Sequence, residues 1–196
     1  MTPEQFKNNW TKIEDNFSSI REDRLSGFGL IQSTIDLLTI SGLPKDAAPY
    51  LSFCNDSDDL YDGINKLTTQ YDFLEPEFDK YIVIGSCNDG DPIAINTEKN
   101  DQVECLDHED YFTPQLFNSS IYSLVNCLIA YRDFIITIQN ENGEDAYINS
   151  DFTNEQFEKL KLEITQADNR VLTEKGFWYQ QLEMELEMRA DNQSNK

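Results

Sequence analysis

This chain of 196 residues has little of what holds metals, grips polyanions or spans membranes. Its one histidine, His108, excludes any two-histidine metal site within the chain. Lys and Arg number 15 against 37 Asp and Glu, and the resulting net charge of −22 repels nucleic acid and anionic membrane surfaces. The four cysteines, Cys54, Cys87, Cys105 and Cys127, stand singly without a CxxC pair. That spacing fits small buried thiols in a reducing cytosol rather than a disulfide framework. No apolar run approaches the roughly 20 residues of a membrane helix. The opening MTPEQFKNNW is too polar for a secretory signal. There is no GxGxxG, P-loop or nucleophile elbow. Cys105-Leu106-Asp107-His108 offers half a zinc set with no second half, and Asn88-Asp89-Gly90-Asp91 begins like a calcium loop but lacks the later ligands. His108 stands between Asp107 and Glu109 with no nucleophile at a recognised spacing. The expectation is a cytoplasmic binding protein, not an enzyme, without metal or cofactor.

What is present builds a core. Hydrophobic residues make up 39% and aromatics 12%, enough to fold one domain despite the charge. We expect that domain to span 1–190, with a disordered tail over 191–196. Thr2 is placed to cap a first helix that starts at Pro3 and carries Phe6, Trp10, Ile13 and Phe17 on one stripe. A second helix is predicted over about 30–39, ended by Gly42 and Pro44. A long helix is predicted from a cap at Asn118 or Ser119, burying Ile121, Leu124, Val125, Leu128, Ile129 and Phe134. Residues 140–151 read as an exposed polar loop. Thr153 precedes an amphipathic stripe of Phe157, Leu160, Ile164 and Ala167. A final helix over about 173–189 should bury Phe177, Trp178, Leu182 and Leu186.

Residues 81–110 read as strand, turn, strand, turn, strand. Tyr81-Ile82-Val83-Ile84 is a β-branched run suited to a buried strand, and Asp89-Gly90 suits a tight turn. Pro92-Ile93-Ala94-Ile95 resumes the run, with Pro92 at a strand start where its missing N–H costs least. Val103-Glu104-Cys105-Leu106 alternates like a half-buried strand. The sum is an α+β domain with a mostly antiparallel sheet, a central meander over about 81–106, and several covering helices.

The order Ile84-Gly85-Ser86, the Asp89-Gly90 turn, Asp91-Pro92-Ile93-Ala94-Ile95-Asn96, then Leu106-Asp107-His108-Glu109-Asp110, resembles the core signature of the SUKH superfamily. That superfamily includes yeast cell-wall-synthesis regulators and many bacterial toxin-immunity proteins. Gly42-Leu43-Pro44 resembles its helix-ending motif, and Phe117 to Ile121 resembles the start of its long helix. The resemblance covers about 29–134, with Phe177-Trp178 as a further match. It implies a cytosolic immunity protein that binds and neutralises a toxin, or alternatively a regulatory interaction module similar to the yeast proteins.

The acidity is uneven. Asp56, Asp58, Asp59 and Asp62 cluster with no Lys or Arg between Lys45 and Lys66. Between Asn100 and Glu158 only Arg132 opposes the acidic residues. Such a field suits a basic protein partner, such as a cationic toxin domain or nuclease, and speeds encounter with it. The candidate partner-binding residues are Asp56, Asp58, Asp59 and Asp62 together with Asp89, Asp91, Asp107, Glu109 and Asp110.

Overall fold

The computed structural model describes residues 1–12, 16–87 and 90–194. Helix α1, Pro3–Thr11, starts as expected: Thr2 and Gln5 close a reciprocal capping box, and Pro3 needs no N–H in the first turn. It ends well before Phe17, which instead sits half-buried in strand β1, Phe17–Ser18. Ile13 lies outside the described residues. The stripe thus draws on two elements, because Phe17 reaches the rings of Phe6 and Trp10 from a strand. The charged connection that follows holds one short helix, α2, Glu22–Leu25.

Helix α3, Gln32–Ile40, buries Leu37 and Leu38, whereas Ile31 is exposed and Ile35 half-buried. Gly42 ends it with φ +74°. A Cβ there would lie 1.8 Å from the Ser18 carbonyl oxygen, so both the conformation and the close approach of β1 require glycine. The next strand, β2, Leu43–Pro44, pairs antiparallel with β1.

The main sheet has seven strands, all paired antiparallel: β3 Asp46–Ala47, β4 Leu51–Phe53, β5 Asn65–Lys66, β6 Tyr81–Ser86, β7 Pro92–Asn96, β8 Gln102–Asp107 and β9 Thr113–Asn118. Their order is β3-β4-β6-β7-β8-β9, and β5 shares the β4 side of β6 further along that strand. The predicted meander is therefore β6 to β8. The sequence reading missed β9. Its residues TPQLFN are mostly half-exposed or exposed, and a register shift against β8 breaks the alternation that marks a strand.

Both sheet faces are covered, which explains the unbroken apolar runs in β6 and β7. One face carries Ile82, Ile84, Ile93, Ile95, Val103 and Phe117 into the large core. Helix α5, Ile121–Asn142, supplies Leu124, Val125, Leu128 and Tyr131 to that core. Its cap is Ser120, whose side chain exchanges hydrogen bonds with Ser123. By length and composition α5 could cross a membrane, contrary to the sequence expectation, but 61% of its most apolar window is buried within the fold, as in a core helix. The opposite face presents Tyr81, Val83, Ala94 and Leu106 to Leu67, Leu74 and Phe112. Leu67 comes from α4, Leu67–Gln70, which follows β5 directly.

Residues 143–151 are not wholly exposed: Ala146 and Ser150 are buried, and the Tyr147 hydroxyl lies 3.2 Å from that of Tyr131. Thr153, which precedes the predicted amphipathic stripe, caps α6, Asn154–Ala167, through a capping box with Gln156. The final helical region is split into α7, Arg170–Thr173, and α8, Phe177–Ser194. Helix α8 extends to Ser194, and Asn192 donates to the Asn149 carbonyl. Trp178 and Leu182 are buried, while Phe177 and Leu186 are half-buried.

Glu185 of α8 is fully buried, a position binary patterning does not anticipate. Tyr131 donates to its Oε1 at 2.5 Å and Gln181 at 3.0 Å, but Oε2 meets no partner among the described residues. Burial pushes the carboxyl above the usual carboxylate range, partly offset by these hydrogen bonds. The protonated side chain therefore contributes stability that is present at acid pH and lost as pH rises through the raised value. We expect Glu185→Gln to stabilise the protein at pH 7 by about 1–3 kcal/mol, since it removes a buried charge and retains an acceptor for Tyr131. The gain should shrink towards zero near pH 4, about where an unperturbed Glu protonates. Chemical denaturation at the two pH values checks this.

Candidate partner-binding cleft

The acidic loop between β4 and β5 folds back on itself. Asn55 donates from its backbone to the Asp62 carbonyl at 2.8 Å, and a parallel bridge joins Asn55 to Gly63. Asp59 accepts from the backbone N–H groups of Tyr61 and Asp62, which hold its carboxyl below the usual range. Gly63 is needed here, because a Cβ would lie 2.2 Å from the Ser57 carbonyl oxygen.

The loop's acidic residues do not act together. Asp56 is matched by Arg21 at 2.8 Å and Arg24 at 2.9 Å, and Asp58 by Arg24 at 2.8 Å. These arginines come from more than thirty residues earlier in the chain, at the start and end of α2, so the local absence of basic residues in sequence does not persist in space. Asp62 instead lines a cleft of about 340 Å³, together with Tyr61, Tyr71 and Val83 and with Gly90 and Pro92 of the β6–β7 hairpin.

The second acidic group gathers beside that hairpin. Asp91 accepts from the backbone N–H of His108 at 2.9 Å, and its Oδ1 lies 2.6 Å from His108 Nδ1. His108 is thereby pushed above its ordinary value, chiefly by this hydrogen bond. Its principal partner is thus Asp91 on the neighbouring hairpin, not its sequence neighbours Asp107 and Glu109. Asp107 turns inward on its own loop and accepts from the N–H groups of Glu109 and Asp110. Glu109 and Asp110 are exposed. Asp89 lies outside the described residues. Asp62 lines the cleft, and Asp91 stands in the chain between two residues that line it, Gly90 and Pro92.

Two features escaped the sequence reading. The first is aromatic. Tyr61, Phe73 and Tyr111 are 66%, 65% and 60% exposed. Phe73 and Tyr111 top a ring network in which Tyr71 contacts Phe73 and Phe112, and Phe78 contacts Tyr111 and Phe112. Large aromatics amid acidic loops were the available signal. The second is a convergence of Cys87, Asp91 and Cys105, whose ligand atoms all lie within 4.8 Å of one another. The expectation of no metal-ligand set was built on close sequence spacing, whereas the hairpin and the β7–β8 register assemble one across the sheet. The neighbouring Cys87 and then burial push the Cys105 thiol up, the opposite of what a nucleophilic thiolate needs.

An antiparallel sheet covered on both faces by helices and loops makes this an α+β protein. The family model for SUKH-4 immunity proteins matches residues 14–184, and the chain belongs to that family, part of the SUKH superfamily. The family is one of toxin immunity proteins, generally non-enzymatic. No curated protein and no solved structure matches the chain.

Proposed function

We propose that this chain binds and neutralises a basic toxin domain in the cytoplasm, with the cleft and its acidic rim as the docking surface. The observation that supports this is a cleft lined by Asp62 and the exposed Tyr61, bordered by Gly90 and Pro92 on either side of Asp91, with Tyr71 linking it to the ring network of exposed Phe73 and Tyr111. Exposed aromatics supply the well-packed anchors that dominate interface energetics, and the surrounding carboxylates supply complementary potential. A field of this sign also competes with phosphate for a cationic surface, so a nuclease is the partner class it suits best. Asp62, Asp91, Glu109 and Asp110 are assigned to the rim. Asp59 and Asp107 shape the loops that present them, and Asp56 and Asp58 contribute less because Arg21 and Arg24 already match them.

The test is toxin protection in cells, paired with binding kinetics at two salt concentrations. The triple variant Asp62→Lys, Glu109→Lys, Asp110→Lys should slow association about tenfold or more and flatten its salt dependence. Tyr61→Ala and Tyr111→Ala should act mainly on dissociation, at about 1–4 kcal/mol each. A folded triple variant that associates and protects like the parent protein sinks the assignment.

A further inference from the structure

We propose that Cys87, Asp91 and Cys105 form a binding site for one thiophilic divalent cation, zinc being the best fit, with His108 as the residue that positions Asp91. Two places in the chain, the β6–β7 hairpin and strand β8, converge to make it. Cys87 follows β6, and its backbone N–H donates to the Asp91 carbonyl at 3.0 Å, which closes the hairpin and brings both side chains to one end. Cys105 lies on β8 opposite Ile93, two residues beyond Asp91. The three ligand atoms all fall within 4.8 Å of one another. Tetrahedral zinc with Zn–S bonds of about 2.3 Å holds two thiolates about 3.8 Å apart, so small side-chain rotations complete the arrangement.

The chemistry of the set favours a cation. Two thiols and a carboxylate repel one another once ionised, and here their ligand atoms are held within 4.8 Å of one another. A divalent ion replaces the two thiol protons, which are released to solvent, and turns that repulsion into ligation. Thiolate sulfur selects zinc over magnesium or calcium, which take oxygen ligands. Cys105 is buried while Cys87 and Asp91 are half-exposed, so the fourth position opens towards solvent and takes water. His108 contacts the Asp91 oxygen through Nδ1 at 2.6 Å and so fixes its orientation, as hydrogen-bond partners of metal ligands do.

The experiment uses the full chain, reduced and stripped of metal by chelation. Cobalt(II) should bind one ion per chain with a thiolate-to-metal charge-transfer absorption, and zinc should displace it and raise the melting temperature. Cys87→Ser and Asp91→Asn, each shown to fold by circular dichroism, should weaken zinc binding at least tenfold. His108→Ala should weaken it by about 10–100-fold, and His108→Asn, whose amide can donate in place of Nδ1, should recover part of that. Absence of the charge-transfer band in the reduced parent protein overturns the proposal, as does unchanged zinc affinity in Cys87→Ser and Cys105→Ser alike. Ready oxidation to a Cys87–Cys105 disulfide in a protein indifferent to zinc would also overturn it.

Discussion

Trp178→Ala is expected to cost about 3–5 kcal/mol, a large share of the 5–15 kcal/mol that holds a typical domain together. Trp178 is fully buried and stands edge-on to Phe117 at 5.7 Å, with Tyr131 tilted against it at the same separation. It joins α8 to β9 and α5, so truncation opens a cavity where three elements meet. Its Nε1 donates to Asn118 Oδ1 at 3.0 Å, and the change also strands that buried oxygen. Trp178→Phe retains most of the packing and should lose about half as much. Urea denaturation of both variants separates the cavity cost from the hydrogen bond. A loss below about 1 kcal/mol for the alanine variant would show that α8 adds little to the core.

The second large effect is expected at Asp168, just past the end of α6. This buried carboxylate accepts from the Ser119 backbone N–H at 2.6 Å, the Ser119 hydroxyl at 2.9 Å, Asn118 Nδ2 at 3.3 Å and the Arg170 backbone N–H at 3.2 Å. It ties the end of β9 and the start of α5 to the α6–α7 connection. Asp168→Ala leaves several donors without an acceptor and should cost about 3–5 kcal/mol, while Asp168→Asn keeps part of the network and should cost less. Because Asn118 bridges both sites, the two alanine changes should not add. A double-mutant cycle is expected to show a coupling of about 0.5–3 kcal/mol. Strict additivity would mean that Trp178 and Asp168 hold the fold independently.

Where local chemistry decides, the sequence was legible. Thr2 and Thr153 cap helices because a hydroxyl three residues before a glutamine closes a capping box with no help from the rest of the fold. The β6–β7–β8 meander follows from β-branched runs separated by turn residues. The order of those runs around Gly85 also carried the SUKH resemblance, which the family match bears out. Distant contacts decided elsewhere, and there the sequence misled or was silent. Phe17 fits a helical stripe, yet it joins the same ring cluster from a strand. Strand β9 has no pattern of its own and exists because β8 offers it a partner.

The chain's composition determined a net charge of −22, a single histidine and a set of candidate acidic residues. It did not determine which of those carboxylates face a partner. Coulomb interactions depend on separation in space, so Asp56 and Asp58 are answered by arginines more than thirty residues away, while Asp62 turns to the cleft. Metal ligation is likewise a matter of a few ångströms, and only the pairing of β7 with β8 sets Cys105 beside Cys87 and Asp91. Periodicity and capping act within a few residues and can be read along the chain. Charge matching and side-chain convergence act across the fold and had to wait for the tertiary structure.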